Sequence, residues 1–350
     1  MTTAYVYDSR YLEHASRGGN HPERPTRLTA ILELLARTGV LAKMTPLHAV
    51  SVSDEDLLRV HTPTYVAQIR EFAQRGGGLL DADTYVAEVS YDVARLAAGG
   101  CVVATDAVID GRVDNALALI RPPGHHSFAD RGEGFCLFNN VAIAAAHARA
   151  RGRTRAAIID FDVHHGNGTQ AIFYGEPDVL YISTHQWPLY PGTGHWRETG
   201  SGTGRGATIN IPFPPGVGDM GLRLAWTDVI RPALVRFEPD IIFLSAGFDA
   251  HWRDPLAMLQ VSMVGYQTLA QEVLQLADEV CKGRVVVVLE GGYDLDALSY
   301  GTLAIARVLL RDPAPLLDPL GPSTWPEEDT TSLVAALRRL HELDEFSTWW

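Results

Sequence analysis

Asp162-Val-His164 sets a carboxylate and an imidazole two residues apart, and in an extended segment residues i and i+2 project from the same face. Both can reach one cation. Asp249, which follows another apolar run, offers a second carboxylate. Three protein ligands of nitrogen and oxygen type, with a fourth position left for water, describe a catalytic zinc site. Without cysteine ligands the same set also accepts Fe(II) or another transition metal. An Asp-x-His pair by itself serves more often for capping or hydrogen bonding; three coincident strand ends are what favour the metal.

His125-His126 follows Arg121-Pro122-Pro123-Gly124, a turn that two prolines stiffen and that fixes where the rings point. Adjacent buried histidines need partners, so each is expected to donate one ring N–H to a carboxylate or amide, which also sets its tautomer. One of them is then placed to act as general base toward a water, although a histidine pair alone is more often structural. Tyr293 comes after Glu290-Gly291-Gly292, where two glycines permit a sharp turn, and its hydroxyl can hold an oxyanion. A tyrosine after two glycines is otherwise a packing residue.

These residues sit at the ends of short apolar runs: Ala116–Ile120, Ala156–Phe161, Val179–Ser183, Ile241–Ser245 and Arg284–Leu289, with Ala4–Tyr7 an earlier member. Runs such as VVVVL do not alternate, as expected for parallel strands covered on both faces. Helical periodicity is expected near 139–151, 220–236, 264–281 and 296–310, and earlier near 26–37, 54–60, 63–74 and 89–109. The alternation predicts an α/β fold with a parallel sheet, in which ligands bind beyond the carboxyl ends of the strands. No linker or repeat divides the chain, so residues 1–350 read as one domain. Its catalytic core covers about 3–310, followed by a surface segment and a last helix near 331–343.

The 350 residues carry 29 Lys plus Arg against 42 Asp plus Glu, a formal charge of −13 that repels phosphate backbones and anionic membranes. Direct nucleic-acid binding is not expected. No apolar stretch is long enough for a membrane span, and MTTAYVYDSR lacks the parts of a signal peptide. Cys101, Cys136 and Cys281 show no C-x-x-C spacing, which suits a reducing cytoplasm rather than a disulfide framework.

HPERPTR, RPPGHH, GFCLFNNVAIAAAHA, IDFDVHHGNGTQ, YISTH, YPGTG, SAGFDAH and LEGGYD stand in one order between His21 and about Arg307. In this the chain resembles the histone deacetylase and acetylpolyamine amidohydrolase family, above all the class II deacetylases and their bacterial relatives. The resemblance implies a three-layer αβα domain around a mostly parallel eight-stranded sheet, and zinc-dependent hydrolysis of N-acyl amides to acetate and a free amine. Asp162, His164 and Asp249 would be the zinc ligands. His126 would be the general base and His125 its electrostatic partner, with Asp160 behind His125 and Asn167 behind His126. Many family members have Asp at the place of Asn167, and the amide should leave His126 less basic. Tyr293 would bind the scissile carbonyl; some vertebrate class II members have His there and are poor deacetylases.

The resemblance further implies a substrate channel lined by Gly134, Phe135 and Tyr190, with Leu256 and Asp83 near its mouth. Asp83 would hydrogen-bond the substrate backbone, unless it is only a solvated turn residue. Arg27 would support an internal channel or form a buried ion pair. A structural potassium ion would be held by Asp160, the backbone carbonyls of Asp162 and His164, the Ser183 hydroxyl and the Thr184 carbonyl, and a second monovalent cation by backbone carbonyls near Phe173, Glu176 and Val179. His185 would pack under the site or, as the simpler expectation, satisfy a backbone group.

Arginase-like ureohydrolases share the architecture but need two manganese ions; Gly166 and His251 stand where their extra aspartates would be. Leu256 likewise replaces an acidic gatekeeper found in polyamine-selective relatives. Acyl-lysine or a general acyl-amine is therefore the expected substrate, with acetylpolyamine hydrolysis as the alternative and a silent acyl-lysine-binding scaffold as a reading of another class. The segment from Ala73 to Val86 is short for a dimerising insertion, so a monomer or loose homodimer is expected.

Overall fold

The computed structural model describes residues 2–16, 18, 19 and 21–344. Its centre is an eight-stranded, wholly parallel sheet: β1 (Thr3–Val6), β2 (Thr45–Leu47), β5 (Asn115–Ala118), β6 (Ala156–Asp160), β7 (Val179–Gln186), β8 (Thr208–Phe213), β9 (Ile241–Ala246) and β10 (Val285–Leu289). The spatial order is β2-β1-β5-β10-β9-β6-β7-β8, and every pairing is parallel. A separate two-residue hairpin, β3 (Gly78–Leu79) with β4 (Tyr85–Val86), lies outside the sheet.

β5, β6, β9 and β10 are buried along their whole length, as their unbroken apolar sequences require. Layers of helices cover the sheet and make it an αβα sandwich. They are α1 (Thr26–Arg37), α2 (Asp54–Leu58), α3 (Pro63–Gln74), α4 (Ser90–Ile109), α5 (Asn140–Ala150), α6 (Asn167–Phe173), α7 (Asp219–Ala225), α8 (Arg231–Phe237), α9 (Met263–Cys281), α10 (Leu295–Leu309) and α11 (Thr331–Leu340). No helix among the described residues is long and apolar enough to cross a membrane.

Three local differences from the sequence reading have physical causes. β2 and β8 occupy the two edges of the sheet and contain Pro46 and Pro212, residues that an edge tolerates and that mask a strand pattern. The helix expected over 220–236 is broken by a π turn at Trp226–Ile230, just before Pro232, whose missing N–H interrupts the regular ladder. The last helix stops at Leu340, and residues 345–350 of the C-terminal segment lie outside the described residues.

Beneath the loops of the site lies a fully buried ion pair. Glu23 meets Arg121 through two hydrogen bonds, one of them Arg121 Nη2 donating to Oε2 at 2.7 Å. Arg121 also donates to the carbonyls of Tyr11 and His14 at 2.8 and 2.9 Å, so the N-terminal segment is tied to the turn carrying His125 and His126. Burial works to raise the Glu23 carboxyl, but Arg121 outweighs it and holds it at about 2. Its folded value lies below the ordinary 4.5, so its stabilisation is present above pH 4.5 and is lost as pH falls through about 2. Glu23→Gln should therefore cost about 3–5 kcal/mol of stability at neutral pH, because it leaves Arg121 as an uncompensated buried charge. In chemical denaturation against pH, the gap between parent and variant should close between those two values; a constant gap would refute the assignment.

Candidate active site

The carboxyl ends of β5, β6, β9 and β10 converge on a cavity of about 460 Å³ that reaches His125, His126, His164 and Tyr293. Asp162 and His164 lie on the loop after β6, and Asp249 lies three residues beyond β9. One donor atom from each of these three buried residues falls within 4.8 Å of the others. His164 Nδ1 is 3.1 Å from Asp162 Oδ1 and 3.3 Å from Asp249 Oδ2.

The backbone holds the two carboxylates in place. Gly291 N–H donates to Asp162 Oδ2 at 2.8 Å, and Val163 N–H to Asp249 Oδ1 at 2.9 Å. A Cβ on Gly291 would stand 2.2 Å from Asp249 Oδ2 and 2.6 Å from Asp162 Oδ2, so only glycine lets the β10 loop approach. Asp249 Oδ2 is buried and makes no hydrogen bond among the described residues. Two converging buried carboxylates and an imidazole, with one oxygen left over, fit a divalent cation.

Burial disfavours charge on His164, but the hydrogen bond to Asp162 and the adjacent Asp249 carboxylate outweigh it and push the ring up to about 10, so it carries a proton at neutral pH. At neutral pH a metal must displace that proton. Zn²⁺ added to metal-free protein in weak buffer at pH 7 should release about one proton per ion bound. A pH indicator or calorimetry in two buffers would record it; binding without proton release would remove His164 from the ligand set.

The histidine pair sits on a turn braced from three sides. Glu290 Oε2 accepts from Gly124 N–H at 2.7 Å and His125 N–H at 3.2 Å, Asn140 Nδ2 donates to Pro122 O at 3.0 Å, and Asn139 Nδ2 donates to Ser127 O at 3.0 Å. Asn139 also caps α5 through Ala142 N–H, so the Asn pair of GFCLFNN joins the turn to a helix start. His125 Nδ1 lies 3.0 Å from Asp160 Oδ2, and His126 Nδ1 lies 2.8 Å from Asn167 Oδ1.

The two rings are 4.0 Å apart, and their surroundings push their pKa values in opposite directions. Burial opposes protonation of His125, but Asp160 and Asp162 override it and push the ring up to about 10. Burial, reinforced by His125 and His164, holds His126 well below the ordinary histidine value. Neighbouring groups driven apart in this way mark out separate acid and base roles.

Tyr293 is partly open to the cavity, and burial followed by the charge on Asp249 keeps its phenol well above 10 and hence protonated. Arg27 is fully buried, donates to Gly292 O at 2.8 Å and lies 5.2 Å from the Tyr293 ring. Its nearest carboxylate is Glu23 at 3.3 Å, so it braces this loop within the buried ion-pair cluster.

Gly134 and Phe135 both adopt positive φ, 56° and 70°, and turn the Phe135 ring toward Tyr293 at 5.9 Å. Tyr190 stands edge-on to His126 at 5.2 Å, and Leu256 and half-buried Asp83 line the same cavity. The Asp83 backbone carbonyl accepts from His21 Nε2 at 2.8 Å. Asp160 faces Ser183 in register across β6 and β7, with Thr184 next along. Phe173 ends α6, Val179 opens β7 and Glu176 lies on the connection between them. His185 Nε2 meets Gly194 O at 2.9 Å, the backbone partner expected of it.

Residues 21–309 match the histone deacetylase domain family. The chain belongs to this family. A histone deacetylase-family hydrolase of amide bonds thus carries the Asp/His/Asp group described above. It is similar to a probable deacetylase of Archaeoglobus fulgidus, 43% identical over 312 residues, covering 88% of this chain and 86% of that one. It is also similar to a histone deacetylase-like amidohydrolase of Pseudomonas aeruginosa, 39% identical over 336 residues and covering 91% and 88%. The crystal structure of the HDA15 HD domain superposes with a TM-score of 0.89 at 38% identity, covering 97% of this chain and 94% of that one.

Several residues of this deacetylase's site went unread in the sequence. Asp254 accepts from the Tyr293 and Asp294 N–H groups at 2.7 and 3.2 Å and so anchors the tyrosine loop. Tyr181 donates to Asp160 Oδ2 at 3.1 Å, and Glu133 accepts from Asn167 Nδ2 at 2.7 Å. Asp254 stands in an Asp-Pro pair and Glu133 directly before Gly134, but neither neighbour reveals which distant atom the carboxylate reaches.

Proposed function

We propose that the protein is a zinc-dependent deacetylase that hydrolyses the N-acetyl amide of lysine side chains or closely similar acyl-amines, as a single catalytic domain. The convergence of Asp162, His164 and Asp249 within 4.8 Å, beside a neutral and a charged histidine, carries this reading. Asp162, His164 and Asp249 would hold the metal, which when bound supplies Lewis acidity to the amide carbonyl and to an attacking water. Fe²⁺ suits the same donors.

Asn167 Oδ1 can only accept, so His126 carries its proton on Nδ1 and turns the Nε2 lone pair toward the cavity. That lone pair takes a proton from the attacking water. His125 remains charged through Asp160 and favours the anionic transition state. Tyr293 donates its phenolic hydrogen to the developing oxyanion, an interaction strongest in the transition state. A proton then passes from the histidine pair to the leaving amine. Phe135 and Tyr190 flank the extended chain, and Asp83 receives its backbone N–H at the mouth.

A potassium ion at Asp160, Asp162, His164, Ser183 and Thr184 belongs to the same proposal. His185 donates through Nε2 to Gly194 O, so its Nδ1 accepts the Ser183 hydroxyl hydrogen and leaves the serine lone pairs for a cation. The Phe173, Glu176 and Val179 carbonyls would hold the second ion.

The exposed rim residues Leu79 and Leu256 favour an acyl-lysine peptide over a second ammonium group. Zinc-loaded protein should turn over an acetyl-lysine peptide faster than N-acetylputrescine. The reverse order would make it an acetylpolyamine amidohydrolase, and no hydrolysis of either would leave a binding scaffold.

A further inference from the structure

Glu133 sits one residue before the Gly134 turn that packs against His126, where a Cβ on Gly134 would come within 2.4 Å of the ring. Its Oε1 accepts from Asn167 Nδ2 at 2.7 Å, and its Oε2 accepts from Arg131 Nε at 3.2 Å. Asn167 Oδ1 meanwhile faces His126 Nδ1 at 2.8 Å and Gly168 N at 3.1 Å. A carboxylate has no hydrogen to give, so the Asn167 NH₂ group must face Glu133, and the amide oxygen must face His126. The orientation of one amide therefore decides which nitrogen of His126 carries the proton.

We propose that Glu133 is a positioning residue of the catalytic pair: it locks the Asn167 amide, which fixes the His126 tautomer, and it makes Asp at position 167 incompatible with full activity in this chain. The second half follows from the same geometry. Asp in place of Asn167 would face the Glu133 carboxylate at hydrogen-bond distance with no hydrogen between them. The pair would then have to take up a proton, and the repulsion would draw the 167 side chain away from His126. Gly168 N–H also favours the observed amide orientation, so removal of Glu133 weakens the lock without abolishing it.

The proposal rests on His126 as the base, and its test separates the two. Glu133→Leu, Glu133→Gln, Asn167→Asp and the Glu133→Gln/Asn167→Asp double variant are compared as zinc-loaded proteins. The measurements are kcat on an acetyl-lysine peptide and ¹⁵N shifts of the labelled His126 ring, the latter reading the tautomer independently of activity. Glu133→Leu should lose Nδ1–H population and about tenfold in kcat, the lower end for partners that orient an imidazole from behind. Glu133→Gln retains one acceptor oxygen for Asn167 Nδ2 but turns a donor toward Arg131, so it should lose less Nδ1–H population and less kcat than Glu133→Leu. Asn167→Asp should be slow alone and recover when Glu133→Gln supplies a donor. An unchanged tautomer in Glu133→Leu, or Asn167→Asp no faster with Glu133→Gln than without it, overturns the proposal. A shifted tautomer with unchanged kcat would support the lock while removing His126 as the base.

Discussion

His126→Ala should lower kcat by about 10²–10⁴, the range that a positioned general base contributes. The ring's surroundings give the reason. Burial, His125 and His164 hold His126 well below the ordinary histidine value, so it is neutral at pH 7 and presents a lone pair. Its working form is the unprotonated one, present above the depressed value, and the rate should fall as pH drops through it. The acid limb of kcat against pH should consequently lie below about 6.5, the unperturbed histidine value. His125 is pushed up to about 10 and cannot take over, because at neutral pH its nitrogens already carry their protons. His125→Ala should therefore cost less than His126→Ala. Metal content must be measured alongside, since the His126 and His164 rings are 6.1 Å apart. A metal-replete His126→Ala protein working at the parent rate would end the assignment.

The strands that carry the site are legible because they are buried on both faces. VVVVL at β10 and AAIID at β6 have no polar face to confuse the period, and each leads straight into its functional loop. The edge strands are not, because Pro46 and Pro212 read as turn residues until the sheet supplies an edge for them. The Asp162-x-His164 spacing declares a shared face within one segment. Asp249 joins them only because β9 lies next to β6, a pairing that no local pattern encodes. The hidden supports have the same character: Glu23 reaches Arg121 across 98 residues and Glu290 reaches Gly124 across 166, so their partners become visible only when the chain is folded.

Tyr293→Phe isolates a single hydroxyl and should lower kcat by about 10²–10³, the loss measured for other oxyanion donors. The change leaves the rest of the residue's anchorage intact. Asp254 holds the Tyr293 backbone N–H, the Phe135 ring lies edge-on at 5.9 Å, and Arg27 lies 5.2 Å from the ring. None of these needs the hydroxyl, so metal content and folding should match the parent. Burial and Asp249 hold the phenol well above 10, and Tyr293 thus remains a donor across the pH range in which His126 is neutral. Because the bond tightens as charge develops on the carbonyl oxygen, its loss should fall on kcat, with KM for an acetyl-lysine peptide little changed. The opposite split, a raised KM at unaltered kcat, would mean that the hydroxyl binds the ground state and that the oxyanion is stabilised elsewhere. The Asp/His/Asp group would then have to account for the barrier without a phenolic donor, and the role of the LEGGYD loop would reduce to holding Asp162 through Gly291 and the His125 turn through Glu290.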